Sequence, residues 1–156
     1  MRKVLRTAIS LIVVLVTATT VADGVVFQDL SVRKALARAE AEDKLVLLYY
    51  TTTWCAPCRV MEATTFKDPD VAAWVAEHTI ALKLDGDLSR GRAKQYNEHG
   101  YPAVVYVNAD GTAIDRIVGL VDGAEFLFVG TNVLAGIYGT APVRQRPKQT
   151  GPRQPP

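Results

Sequence analysis

Hydrophobic and polar positions in the body of the chain follow two patterns, one with helical spacing and one typical of strands. From Ser31 to about Glu42 the apolar residues recur every three or four positions, which predicts a helix with one buried face. Residues 45–50 form a continuous apolar run, so we expect a central strand buried on both faces. Residues 79–84 alternate and predict a second strand.

The remaining body continues this alternation of helices and strands. Asp68 and Pro69 supply a cap and a first-turn proline, which predict the start of a helix. The order α-β-α-α-β-α-β-β-α predicts an α/β fold, with a central mixed β-sheet flanked by helices on both faces. The further elements are helix 58–65, helix 69–75, helix 88–98 closing near Gly100, strand 103–107, turn 108–111, strand 112–118, and helix 122–137 weakened by Gly130 and Gly136.

Residues 1–22 have the layout of an export signal. A basic start precedes an apolar run over about 8–16, and small residues follow, so we expect cleavage before Asp23. An uncleaved membrane anchor is the alternative, although the run is shorter than the roughly 20 residues of a spanning helix. No cysteine follows the run, which argues against a lipidated N-terminus.

Charge is distributed unevenly along the 156 residues. Residues 23–139 hold 11 basic and all 16 acidic residues, so the body is acidic although the whole chain has a formal charge of +2. This balance argues against a nucleic-acid surface. Residues 140–156 are basic and rich in proline, which predicts a disordered tail, either without function or acting as a weak electrostatic contact. We expect one domain over 23–139.

Two cysteines, Cys55 and Cys58, are the main candidates for chemistry. A bridge across two intervening residues removes little chain entropy, so it is better suited to being made and broken than to stabilising the fold. At the first turn of a helix, Cys55 would be favoured as a thiolate, and Cys58 would lie one turn away, placed to attack a mixed disulfide. Pro57 fits the first turn, where its missing N–H is not needed.

Other uses of the cysteine pair are poorly supported. A zinc site needs two further ligands, and His78 and His99 are too far apart for a paired-ligand spacing. Covalent haem attachment needs a histidine where Arg59 stands. We therefore expect no metal and no cofactor, and an inert structural disulfide stays as an alternative.

The segment from Trp54 to Cys58 (Trp-Cys-Ala-Pro-Cys), following a buried strand, resembles the active-site motif of the thioredoxin superfamily. Gly100, Tyr101 and Pro102 precede a strand and resemble the family's cis-proline loop, and the resemblance spans roughly 28–138. It implies that Pro102 lies in a cis peptide facing the cysteine pair. It also implies that Trp54, Pro57 and Tyr101 contact the client, although Trp54 could instead be ordinary core and Tyr101 a surface aromatic.

Residues 58–62, 65–66 and 68–71 are similar to exported thioredoxin-like domains such as the C-terminal domain of DsbD, and TlpA-like reductases are also near by motif. One position departs from the wider family: Tyr49 stands where thioredoxins place a buried aspartate that accepts the proton of the second cysteine. A phenol is a poor base at neutral pH. Glu62, one turn beyond Cys58, could replace it through a water, or could be only a solvated helix residue.

The resemblance implies a periplasmic thiol–disulfide oxidoreductase. The Ala-Pro pair between the cysteines is closer to the reducing Gly-Pro type than to the oxidising Pro-His type, so we expect a reductase. Its partners would be client proteins with disulfides and a membrane electron donor of the DsbD or CcdA type, and we expect a monomer. The alternatives are a disulfide oxidase or isomerase, a reductase dedicated to one client, and a thioredoxin-fold binding module without turnover.

Overall fold

The computed structural model describes residues 23–88 and 100–137. Three predicted segments lie outside the described residues: the export signal over 1–22, the tail 140–156, and the helix over 88–98 apart from Leu88. The elements are α1 (Val32–Glu42), β1 (Leu45–Thr51), α2 (Ala56–Ala63), a 3-10 turn (Thr65–Lys67), α3 (Pro69–His78), β2 (Thr79–Asp85), β3 (Ala103–Val107), β4 (Ala113–Val118) and α4 (Gly123–Leu134). None of these helices is long and apolar enough to cross a bilayer.

The strands of the described residues form one mixed sheet in the order β2-β1-β3-β4. β1 runs parallel to β2 and antiparallel to β3, and β3 pairs antiparallel with β4. The central position of β1 explains why residues 46–50 are completely buried, as the continuous apolar run predicts. Tyr49 lies directly opposite Lys83 in the β1–β2 register, so their side chains emerge on the same face.

Helices cover both faces of the sheet, which confirms the predicted α/β layers. On one face, Ala35 and Ala39 of α1 pack against Val46, Leu48 and Tyr50 of β1. On the other face, α2, α3 and α4 enclose a second apolar cluster built on the alternate residues of β1. The cysteine pair belongs to this second cluster.

Polar side chains cap three helices where the sequence predicts their starts. The Ser31 side chain accepts the N–H of Lys34, and the Asp122 carboxylate accepts the N–H of Glu125 at 2.9 Å. Asp68 caps α3 by accepting the N–H of Asp70 at 2.9 Å, with Pro69 in the first turn as predicted. Each cap satisfies a helix N–H that would otherwise lack a partner.

Three details differ from the sequence prediction. β2 does not alternate over its first four residues, because both its faces are covered and Thr79 through Leu82 are all buried. α2 stops at Ala63, where the Thr64 hydroxyl binds the Val60 carbonyl oxygen at 2.8 Å and a 3-10 turn follows. α4 stops at Leu134, and Gly136 beyond it has a φ of 73°, a left-handed conformation that ends helices.

The segment before α1 is fastened along the edge of the sheet. The N–H of Val25 donates to the Phe66 carbonyl at 2.7 Å, and the N–H of Gln28 donates to the Ala81 carbonyl of β2 at 2.8 Å. Between these bonds, the Phe27 ring stacks on Tyr49 with ring centres 5.6 Å apart. This segment therefore forms part of the wall around Tyr49.

Candidate active site

The N-terminus of α2 carries the cysteine pair. Cys55 is the N-cap residue, and its sulfur accepts the N–H of Cys58 at 3.2 Å. The two sulfurs are joined in a disulfide, with Cα atoms 5.3 Å apart. Pro57 lies in the first turn as predicted. In the reduced state the same helix N–H groups and the helix dipole favour a thiolate on Cys55.

The two cysteines differ in the small amount of surface that they expose. Cys55 is 3% exposed and Cys58 is completely buried. In the disulfide-bonded state, Cys55 therefore offers a partner only a narrow part of its surface. The order of attack expected from the sequence, Cys55 first and Cys58 second, stays a prediction.

Trp54 and Tyr101 form an aromatic edge beside the disulfide. Trp54 is 66% exposed, so it is not core, and its ring meets that of Tyr101 edge-on with centres 5.9 Å apart. The Trp54 indole N–H donates to the Asp87 carboxylate at 3.1 Å. The Tyr101 ring lies against Gly86, where a Cβ would come within 2.2 Å of the Tyr101 hydroxyl oxygen.

Pro102 begins the turn into β3 next to this edge. The peptide bond between Tyr101 and Pro102 is cis, as the sequence resemblance implies. The Pro102 carbonyl accepts the N–H of Gly119 at 2.8 Å, which ties the loop to the end of β4. Tyr101 of this loop contacts Trp54. The two predicted signatures therefore meet in the structure, although Cys55 and Tyr101 are 46 residues apart in sequence.

Tyr49 connects the strand β1 to the helix that bears the cysteines. Its hydroxyl lies 3.3 Å from the Cys58 carbonyl oxygen and 3.2 Å from a carboxylate oxygen of Glu62. The other Glu62 oxygen pairs with the Lys83 ammonium at 2.7 Å. Glu62 is thus held from two sides and is not a freely solvated helix residue.

Burial raises the pKa of the Tyr49 phenol well above its usual value. The Thr51 hydroxyl works in the opposite direction, and the Glu62 carboxylate beside the phenol raises the pKa further, since a phenolate would meet a like charge. Tyr49 therefore stays protonated and acts as a hydrogen-bond donor. This agrees with the sequence argument that Tyr49 cannot replace an aspartate as a base.

A cleft of about 470 Å³ opens beside Glu62. Its walls are Thr51, Thr52, Thr53, Arg59, Glu62, Lys83 and Asp85. The cleft gives the Glu62 carboxylate contact with solvent on the side away from Tyr49. Of the predicted site residues, Trp54, Cys55, Pro57 and Cys58 lie at the start of α2, Glu62 lies in its last turn, and Tyr101 and Pro102 lie just before β3.

Sequence reasoning missed Lys83, Gly86 and Asp87. Lys83 reaches Glu62 only because β2 pairs with β1 in a register that places it opposite Tyr49. Gly86 and Asp87 follow β2 and meet Tyr101 and Trp54, which are distant in sequence. The sign available in the sequence was their position directly after a predicted strand, where functional loops gather in α/β folds.

Comparisons with known proteins agree with this geometry. A family model described as a thioredoxin-like domain matches residues 32–133. The thiol:disulfide interchange protein DsbD 2 of Pseudomonas aeruginosa is 35% identical over 107 residues, which cover 65% of this chain and 18% of that protein. The chain therefore corresponds to less than a fifth of that relative.

Solved structures show the same fold. A protein from Bacteroides thetaiotaomicron, described as a candidate disulphide isomerase, matches with a TM-score of 0.64 and 36% identity, over 77% of this chain and 98% of that one. The reduced C-terminal domain of DsbD from Neisseria meningitidis matches with a TM-score of 0.53 and 26% identity, over 64% of this chain and 90% of that one.

Proposed function

The chain belongs to the thioredoxin-like family of thiol–disulfide oxidoreductases, and we propose that it works in the periplasm as a reductase of disulfides in client proteins. The observation that carries the proposal is the Cys55–Cys58 pair at the N-terminus of α2. The Ala-Pro pair between the cysteines supports the reductive direction, because it is closer to the Gly-Pro of reducing members than to the Pro-His of oxidising ones.

The reaction transfers two electrons from the protein dithiol to the client. The Cys55 thiolate attacks one sulfur of the client disulfide, forms a mixed disulfide and releases the other client sulfur as a thiolate. Cys58 then gives up its proton, and its thiolate attacks the Cys55 sulfur. The Cys55–Cys58 disulfide forms, and the second client thiolate leaves. Glu62 is the proposed acceptor of the Cys58 proton through a water, and solvent supplies protons to the client thiolates.

The client is proposed to lie along the edge formed by Trp54 and Tyr101. Pro102 has no N–H, and its loop would offer backbone contacts that hold an extended client segment beside Cys55. Pro57 would contribute apolar surface at the helix start. The oxidised protein would then be reduced again by a membrane dithiol donor of the DsbD or CcdA type.

The direct test is reduction of insulin by the purified body of the protein, with Cys55→Ser as the inactive control. A reduction potential measured against glutathione completes it. We expect activity and a potential of about −270 mV, whereas a value of about −120 mV would identify an oxidase. No activity in the wild type would instead favour a binding module. Trapping mixed disulfides with Cys58→Ser in cells would identify the clients.

Isomerase activity is the second candidate, because the Bacteroides relative carries that description. An isomerase must release its client before the second cysteine attacks, so the client is returned with rearranged bonds. Refolding of a protein with scrambled disulfides separates the two activities. An isomerase restores the native protein without net consumption of reductant, whereas a reductase leaves the scrambled protein with free thiols.

The proposed location rests on residues 1–22, whose layout is that of an export signal. Cell fractionation of the full chain, with a variant lacking 2–22 as control, tests it. We expect the full chain in the periplasm with Asp23 as its first residue, and the shortened chain in the cytoplasm. A full chain that keeps its first residues and stays with the membrane would show the uncleaved anchor.

A further inference from the structure

The Tyr49 hydroxyl lies between the Cys58 carbonyl oxygen and the Glu62 carboxylate. We propose that Tyr49 is a positioning residue, whose hydroxyl holds the Glu62 carboxylate at the turn of α2 that carries Cys58 and so sets the rate at which Cys58 loses its proton. The proposal deepens the proposed function and rests on it, because it concerns the second step of that reaction.

The Tyr49 ring cannot move easily. It is completely buried, and two rings fix it, Phe27 stacked at 5.6 Å and Phe66 edge-on at 4.8 Å between ring centres. Its hydroxyl is therefore a fixed point in the structure, unlike a donor at the end of a flexible side chain. Such a point can hold a carboxylate in one place without further loss of side-chain freedom.

The hydroxyl lies between two atoms of α2, the Cys58 carbonyl oxygen at 3.3 Å and the Glu62 oxygen at 3.2 Å. Residues four apart lie on the same side of a helix, so Glu62 is directly below Cys58. A phenol has one proton to donate, and the charged carboxylate is the stronger acceptor. Tyr49 thus favours the conformation of Glu62 in which the carboxylate stays close to the turn of α2 that carries Cys58.

Lys83 is a weaker anchor for Glu62. The Lys83 side chain is 43% exposed and the Glu62 side chain 33%, and ion pairs this open to solvent contribute little because water screens them. Lys83 lies at the cleft, so its attraction alone would draw the carboxylate toward solvent. Tyr49 opposes this movement from the buried side.

Three charged residues line the cleft together with Glu62. Lys83 and Asp85 come from β2 and Arg59 from α2, whereas Phe27 of the N-terminal segment and Phe66 of the 3-10 turn pack against the Tyr49 ring. The proton that Glu62 accepts from the Cys58 thiol can pass to water in this cleft. The carboxylate is then ready for another turnover, and no net charge accumulates.

The test follows the reaction of the reduced protein with the chromogenic disulfide dithiobis-nitrobenzoate by stopped flow. Attack by Cys55 releases one coloured thiol, and attack by Cys58 on the mixed disulfide releases a second. In Tyr49→Phe we expect the second release to slow by about tenfold while the first is unchanged, because only the hydroxyl that holds Glu62 is lost. We also expect Glu62→Gln to slow the second release.

Two readouts separate positioning from a general loss of packing. The double variant Tyr49→Phe with Glu62→Gln should be no slower than Glu62→Gln alone, since Tyr49 acts through Glu62. In Tyr49→Phe the second release should rise by about tenfold per pH unit at low pH, as expected when hydroxide removes the proton, and less steeply in the wild type. Tyr106→Phe is the matched control, because it removes a completely buried hydroxyl that has no hydrogen-bond partner among residues 23–88 and 100–137.

An unchanged second release in Tyr49→Phe would overturn the proposal. So would an equal slowing by Tyr49→Phe in the presence and absence of Glu62, which would mean that the two act independently. Failure of insulin reduction with both coloured thiols still released would count against the proposed reductase function alone. The two hypotheses can therefore fail separately.

Discussion

Tyr101 lies directly over Gly86, so closely that a Cβ on Gly86 would come within 2.2 Å of the Tyr101 hydroxyl oxygen and 2.5 Å of a ring carbon. Real Cβ atoms do not approach other atoms this closely, so any other residue at position 86 must displace the ring. Gly86 also donates its N–H to the Thr51 carbonyl at 2.8 Å, which fixes its backbone next to the end of β1. The glycine therefore sets the position of one half of the aromatic edge beside the cysteines.

We expect Gly86→Ala to lower the melting temperature by about 5–15 °C, because overfilling a packed site costs about 1–3 kcal/mol. The displaced Tyr101 should also raise the KM for an insulin substrate. Tyr101→Phe should not rescue Gly86→Ala, because ring carbons cause most of the clash, whereas Tyr101→Ala should restore the melting temperature. Calorimetry of the three single and two double variants checks this, and additive effects on stability would show that the two residues are not coupled.

Asp87 is expected to orient Trp54. Asp87→Ala removes the acceptor of the indole N–H, a bond of 3.1 Å at the surface, so the free energy of unfolding should fall by less than about 1 kcal/mol. The freed indole should be more mobile, and the KM for a protein disulfide should rise while the reaction with a small disulfide is unchanged.

Fluorescence anisotropy of Trp54, in a Trp74→Phe background, measures the mobility of the indole. Asp29→Ala, at an exposed aspartate in the segment before α1, is the control for loss of a surface charge. Equal effects of the two substitutions on the KM would mean that Asp87 acts only through its charge.

Two buried tyrosines should make the protein sensitive to alkali. Burial raises the pKa of both Tyr49 and Tyr106 above the value of about 10 that tyrosine has in an unfolded chain. The folded state therefore holds these protons more tightly, so their stabilisation is complete below about pH 10 and is lost as the pH rises above it. The free energy of unfolding should fall by up to about 1.4 kcal/mol per pH unit for each tyrosine.

Urea unfolding across the range from about pH 8 to 12 measures this loss. In Tyr106→Phe the free energy of unfolding should fall less steeply with pH, by the contribution of one proton. Of the two tyrosines, only Tyr49 then titrates on unfolding. A slope that is the same in the wild type and in Tyr106→Phe would assign the alkaline sensitivity to other groups.

Gly130 in α4 is needed for packing. A Cβ there would lie 2.7 Å from a ring carbon of Trp74, so Gly130→Ala should destabilise the protein by about 1–3 kcal/mol although alanine is the better helix former. Trp74→Phe removes the ring atoms that clash and should recover much of this loss in the double variant. Denaturant midpoints measure it, and a more stable Gly130→Ala would show that helix propensity outweighs the contact.

Local patterns were sufficient to predict the cysteine chemistry and, apart from their exact ends, the helices and strands of the described residues. The apolar run of β1 and the cap at Asp68 depend on neighbours in sequence, and both are found where the sequence places them. The same holds for Cys55 at the start of α2, since a proline two residues later favours a first helical turn.

Contacts between distant residues could not be predicted in the same way. Gly130 reads as a weak point of a helix until Trp74 is known to pack against it. Glu62 was ambiguous because its two partners, Tyr49 and Lys83, lie on different strands and reach it only through the β1–β2 register. Burial of β2 on both faces likewise depends on helices that are distant in sequence.

The hydrogen bond from Gln28 to Ala81 has a further consequence, for self-association. In the described sheet β2 is an edge strand, and an open edge offers unpaired backbone groups to any other extended chain. The segment before α1 occupies part of that edge, and Lys67 secures its start by binding the Asp23 carbonyl at 2.8 Å. The segment that packs on the Tyr49 ring thus also covers part of the β2 edge, which disfavours edge-to-edge pairing of two copies and their aggregation.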